Sequence, residues 1–230
     1  MRASEPGSAP PVRMTGTQRL AAALRDRIFA GEFQAGSALR EEELAAQFHV
    51  SRHAIREALR MLVADGIAEY SSFKGVRVPR VSAQDVREIY AARRVVECSA
   101  VERNGQVADV GAFNSIHQDF VEAIAAGDWQ MAFDADVAFH SAFVGLGGST
   151  RLVDCHRELM QGLRLAHLVA PAFRIDGLKQ SVREHLAVMD ALAANQPRHA
   201  AKLLEQHLDS SECLMLTEMG SQQERMKEDV

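Results

Sequence analysis

Apolar residues recur at intervals of three and four along most of the chain, the period of a helix that buries one face. Leu20, Leu24 and Ile28 form the first stripe, with Thr17 as its expected N-cap and Gly31 followed by "QAGS" at 34–37 as stop and turn. Leu44, Ala45 and Phe48 form a second. They follow Glu41, Glu42 and Glu43, whose charges suit a helix N-terminus, so a helix is expected over 41–48. After a turn at His49-Val50, Ile55, Ala58, Leu59 and Leu62 mark a third helix, N-capped by Ser51 and ending near Asp65-Gly66. The period then shortens to two. "IAEY" and "GVRVP" alternate like short strands joined through "SSFKG". Helix, helix, turn, helix and hairpin make a winged helix-turn-helix.

From about Val81 onward the pattern is helical throughout. Breaks at Asn104-Gly105, Gly127-Asp128, Gly147-Gly148, Pro171, Asp176-Gly177 and Asn195 to Pro197 separate six amphipathic segments, with no strong strand signal among them. Short loops and no internal repeat imply one antiparallel helical bundle. The expected fold class is thus mainly α, with one small β-hairpin. Residues 1–15, rich in Pro, Gly and Ser, read as a disordered arm, 16–80 as the winged unit, 81–220 as the bundle and 221–230 as a tail.

Composition narrows the setting. The chain has 230 residues, 47% of them hydrophobic, enough for a substantial core. No apolar run approaches the roughly 18 to 20 residues needed to cross a membrane, and the first sixteen residues lack the apolar centre of a secretory signal. A cytoplasmic protein without a membrane partner is expected. Cys98, Cys155 and Cys213 are scattered and odd in number, which argues against a disulfide framework or a Cys-based zinc site.

The net charge of −5 is unevenly spread. Residues 1–80 hold 12 Lys or Arg against 9 Asp or Glu, whereas residues 81–230 hold 14 against 22. The basic excess is concentrated on the third helix. Arg52, His53 and Arg56, with Arg60 a turn later, lie about opposite its apolar stripe. The leading turns of that helix are what a major groove admits, and arginine pairs there with guanine or with phosphate. Arg40 and Ser51 flank the same surface, and Lys74-Gly75 at the hairpin tip would be the wing. A solvated basic face is the plain alternative; the ordered set of elements favours DNA.

In the bundle, four polar residues fall on apolar faces. Asp136 and His140 lie one turn apart beside Phe133, Val137 and Val144. His185 lies among Val182, Leu186, Met189 and Leu192, and His207 among Leu203, Leu204 and Leu214. A carboxylate aimed at a core must be paired, and an Asp-x3-His pair joined by two more histidines suits a divalent transition metal. His117, His156 and His167 also lie near apolar faces, so periodicity alone leaves the ligand set open.

Residues 39–78, "LREEELAAQFHVSRHAIREALRMLVADGIAEYSSFKGVRV", resemble the DNA-binding domain of the GntR family of bacterial transcription regulators, and the likeness extends back through "LRDRIFAGEFQAGSAL". The family's usual "GVSRTPVREAL" appears as "HVSRHAIREAL", departing at His49, His53 and Ala54. Glu42 falls where many members carry an arginine that touches DNA. Residues 82–218 resemble the FCD domain of the FadR subfamily, through "YAARRVVECSAVE", "DADVAFHSAFVGLGGSTRL" and "VREHLAVMDALAANQPRHAAKLLEQHL". A helix-capping Asn of the family is replaced at Ser149 to Leu152.

The resemblance implies a homodimeric regulator, usually a repressor, that binds a double-stranded operator. Its bundle would take a small organic acid, with a metal helping to hold the carboxylate. The family's metal ligands fall on Asp136, His140, His185 and His207. Zinc is the first expectation, with nickel and manganese as alternatives. Arg93, which has Glu97 at i+4, is the expected counter-charge for the effector, or else simply the partner of Glu97. Two other readings stand beside this one: a metal-dependent hydrolase, and a DNA-binding dimer that has lost its ligand response.

Overall fold

The structure is a computed structural model that describes residues 14–71, 75–105, 109–168 and the backbone of 173–228, with side chains over 177–221 in the last stretch. Helix α1 (Gly16–Phe29) starts one turn-corner earlier than the pattern suggested. Its cap is Thr15 rather than Thr17, because only Thr15 has a glutamine three residues on to complete a capping box: Gln18 N donates to Thr15 Oγ1 and Thr15 N to the Gln18 side chain. The helices α2 (Glu41–Phe48) and α3 (Arg52–Ala64) fall where expected, with Ser51 capping Ala54. Between them His49 adopts a left-handed φ of 53°, a conformation that costs a side-chain-bearing residue about 1–2 kcal/mol.

The strands are shorter than the alternation implied. β1 (Glu69–Ser71) and β2 (Gly75–Arg77) pair antiparallel with Tyr70 opposite Val76, while Ile67 and Ala68 go into the core before the strand begins. Leu39 N donates to Val76 O, tying the approach to α2 onto the hairpin. Leu24, Ile28, Ile55, Leu59 and Leu62 are almost wholly buried in this N-terminal core, each adding roughly 1.5–3 kcal/mol of burial energy.

The first helix of the second core is interrupted. α4 (Ala83–Arg93), capped by a Ser82–Asp85 box, runs into a π turn at Arg94–Cys98 before α5 (Ser99–Asn104). α6 (Val110–Ala126), α7 (Trp129–Gly145) and α8 (Thr150–Ala166) follow, capped by Asp109, Asp128 and Ser149. α9 (Phe173–Ala193) passes through Asp176-Gly177 without a break, contrary to expectation. Leu178 is buried just beyond that pair and Ser181 Oγ bonds back to Gly177 O, so packing overrides a local turn signal. The break expected at Pro171 lies outside the described residues. α10 (Pro197–Glu228) runs through most of the segment set apart as a tail; the arm expected over 1–15 lies, up to Arg13, outside the described residues.

α9 packs on α10, α6 on α7, and α8 against both α4 and α7. Phe139, Phe143, Val101, Val188, Leu204 and Leu208 are among the centre of this second core. α8 serves both cores: Leu163 and Ala166 belong to the second, but Leu165 is buried in the first. No described helix is long and apolar enough to cross a membrane.

Candidate metal centre and nucleic-acid interface

The amphipathic sequence of α3 buries Ile55, Ala58, Leu59 and Leu62 and thereby turns Arg52, His53, Arg56 and Arg60 to solvent. Two of these arginines are already paired with the acidic first turn of α2. Arg52 Nη2 donates to Glu42 Oε1 (2.5 Å), and Arg56 donates from Nε and Nη2 to the Glu41 carboxylate (2.7–3.2 Å). The hydrogen bonds from Arg56 hold Glu41 below the usual carboxylate range. Arg40 precedes α2 and pairs with Glu43, so every exposed cation beside this helix start has an acidic neighbour. Gly75 opens β2 at φ +76°, exposed at the hairpin. Lys74 lies outside the described residues.

Three helices bring the second set together. α7 supplies Asp136 and His140 one turn apart, α9 supplies His185 and α10 supplies His207; all four residues are buried. His140, His185 and His207 place one ring nitrogen each within 4.8 Å of one another. His140 Nε2 and His207 Nε2 stand 3.3 Å apart, and Asp136 Oδ1 lies 3.5 Å from His185 Nε2 and 3.9 Å from His140 Nε2.

Protonation decides what this cluster is for. His140 Nδ1–H donates to Glu97 Oε2 (2.7 Å) and His207 Nδ1–H donates to Glu184 Oε2 (2.6 Å). A carboxylate only accepts, so in both neutral rings the proton is on Nδ1 and the Nε2 lone pair is bare. Two bare lone pairs then face each other. Sharing a proton between the rings would relieve this, but burial pushes His140 downward and opposes charging it. Neither His185 nitrogen has a hydrogen-bond partner among the described residues, nor does Asp136 Oδ1. Each such orphan costs on the order of 1–3 kcal/mol. A divalent cation fits this donor set: two nitrogens bound tetrahedrally to one zinc at about 2.0–2.1 Å stand about 3.3 Å apart.

A supporting layer escaped the sequence reading. Glu97 is wholly buried and accepts from three groups: Arg93 Nε (2.7 Å), His140 Nδ1 and His156 Nε2 (2.9 Å). Burial alone would raise its carboxyl, but Arg93 and the two histidines outweigh that and hold it well below the ordinary range. Its only sequence signal was the i+4 relation to Arg93. The π turn that carries Glu97 has none. Glu184 precedes His185 on a half-solvated face, where a glutamate carries no signal of its own. Arg93 itself is buried against Tyr90, with its ring-to-guanidinium distance at 5.1 Å, and pairs with Glu97, the alternative foreseen for it; its Nη2 still has no partner among the described residues.

The remaining histidines are thereby sorted. His156 supports Glu97 and Ser141, and His167 caps α8 against Phe133, away from the cluster. His117 stacks toward His185 at 6.0 Å between ring centres, with its Nδ1 unpartnered among the described residues.

Comparison with known proteins places both units. Residues 17–78 match the bacterial regulatory proteins of the gntR family, and residues 88–210 match the FCD domain. A crystal structure of a transcriptional regulator named GntR, from Rhodococcus sp. RHA1, is 33% identical and superposes with a TM-score of 0.77 over 87% of this chain and 97% of its own. Among curated relatives, the HTH-type transcriptional repressor GlaR of Escherichia coli (strain K12) is 28% identical over 80% of this chain and 89% of that protein. The HTH-type regulator BphR of Paraburkholderia xenovorans (strain LB400) is 28% identical over 82% and 80%. A gntR winged helix-turn-helix joined to an FCD bundle makes this chain a member of the GntR family of bacterial transcription regulators, not an enzyme.

Proposed function

We propose that the chain is a homodimeric repressor whose FCD bundle holds a divalent metal through Asp136, His140, His185 and His207. A small carboxylate effector, met by the metal and by Arg93, then modulates operator binding. Residues 16–80 act as the DNA-binding unit and 81–220 as the sensor. Such a protein works in the cytoplasm, where the chromosome is.

The observation that carries the reading is the pair of facing Nε2 lone pairs on His140 and His207, with Asp136 Oδ1 beside them. A bundle kept only for dimerisation would gain more from leucine at these places. When bound, the metal supplies a Lewis-acidic charge that neutralises the lone pairs and Asp136 and attracts an anion. The protein's own groups do the rest. Glu97 and Glu184 fix two imidazoles by their Nδ1 protons, and Arg93 Nη2 remains as a donor for a second carboxylate oxygen.

At the other end, Arg52, His53 and Arg56 on α3 enter the major groove. Arg40 and Ser51 take the backbone beside it, and Lys74-Gly75 the wing contact. Two copies would read two half-sites of a near-palindrome, and effector entry would bias their spacing. Coupling of 1–3 kcal/mol corresponds to a change of about five- to 150-fold in operator affinity. The test is to select a duplex from a random pool with the protein, then titrate it with metal-loaded protein in the presence of a panel of small carboxylates. A shift in that range for one member supports the reading. Unchanged affinity across the panel, with metal bound, contradicts it.

A further inference from the structure

One well-defined cavity lies away from the histidine cluster. It lies where the DNA-binding unit meets the bundle, with a volume of about 440 Å³, and both units contribute walls. Phe29 comes from the end of α1; Trp129 and Phe133 come from the first turns of α7; Arg164 and His167 come from the end of α8. That volume is within the range of small-molecule sites, which combine apolar walls with a few fixed polar groups.

Arg164 is the fixed polar group. Its guanidinium lies against the rings of both Phe29 and Phe133, whose centres are 4.5 and 5.0 Å away. Two aromatic neighbours hold the guanidinium in place, and its N–H groups are where an acceptor can bind. Asp134 takes one of these groups through Nη2, but the Asp134 side chain is 56% exposed while that of Arg164 is 19% exposed. A half-solvated counter-ion of this kind is worth little and is readily exchanged. Asp128, also at the cavity, already accepts from Met131 N as the cap of α7. A guanidinium favours a planar, bidentate anion, and the surrounding rings favour an apolar, flat body.

We propose that this junction is a second ligand site, distinct from the histidine cluster, that takes a small aromatic carboxylate with its carboxylate on Arg164 and its ring against Trp129 and Phe29. Because the walls belong to α1 on one side and α7 on the other, an occupant bridges the DNA-binding unit and the bundle directly. Its effect on DNA affinity would not pass through Asp136 or the three histidines.

Trp129 is the single tryptophan of the chain, so its fluorescence reports on this cavity alone. The probe is benzoate, with benzamide as its uncharged match, titrated into the full-length protein. The expected result is saturable quenching by benzoate at or below roughly millimolar concentration, about tenfold or more weaker for benzamide, since a charge-assisted pair is lost. The response is expected to disappear in Arg164→Met, which keeps the apolar stem, and to persist in His185→Ala. No quenching by benzoate, equal quenching by benzamide, or loss of the response in His185→Ala would each overturn the proposal. If Arg164→Met does not fold, the benzoate and benzamide comparison on the unaltered protein decides by itself.

Discussion

His140 and His207 owe their tautomers to two glutamates from different helices, and that arrangement makes the support testable separately from the ligands. Glu184 is half-buried, orients His207 and touches no proposed metal position. Glu184→Gln is therefore expected to lower affinity for zinc by about 10- to 100-fold while leaving the fold intact. Unchanged zinc affinity in a competition titration would show that the glutamate does not act through His207. His49 offers a residue-scale test on stability. It closes α2 in the left-handed region, where the related family motif carries glycine. His49→Gly should stabilise the DNA-binding unit by about 1 kcal/mol. A lower denaturation midpoint would mean that the imidazole makes a compensating contact.

Between elements, the acids of α2 hold the arginines of α3, so in the proposed complex they would compete with DNA for them. The Arg52–Glu42 pair is exposed on both sides and worth at most about 1 kcal/mol. Glu42→Gln should thus raise DNA affinity by up to about fivefold, more at low salt than at high. A fall in affinity would instead assign Glu42 a direct role in reading bases. Helix positions, most breaks and the cap at Ser51 were legible because they depend on neighbours three or four residues away. The π turn at Arg94–Cys98 was not. Nothing local distinguishes it from ordinary helix, and it carries a glutamate whose partners lie on α7 and α8. The metal candidates show the same division. Asp136 and His140 were readable from their one-turn spacing, whereas His185 and His207 stood out from His117, His156 and His167 only through family resemblance. Periodicity tells which face a side chain is on, but not how deep it lies or which other helix it meets.

At the scale of the whole molecule, α8 ties the two cores together. Leu165 is 3% exposed and buried among the residues of the DNA-binding unit, although it belongs to a bundle helix. Leu165→Ala should cost about 2–5 kcal/mol and loosen that unit without touching any DNA-facing side chain. Unfolding that is unchanged in the variant would contradict so tight a junction. Effector control as proposed would rest on this continuity, since α7 carries both the Asp136–His140 pair and, two turns earlier, the wall that meets α1. All of it depends on whether the buried cluster holds a metal. The most direct measurement is elemental analysis of protein purified without chelator or affinity-tag metal, beside His185→Ala. About one divalent transition metal per chain, lost in the variant, is the expected result. No metal in either protein would contradict the sensor reading and leave Asp136, His140, His185 and His207 as a polar core.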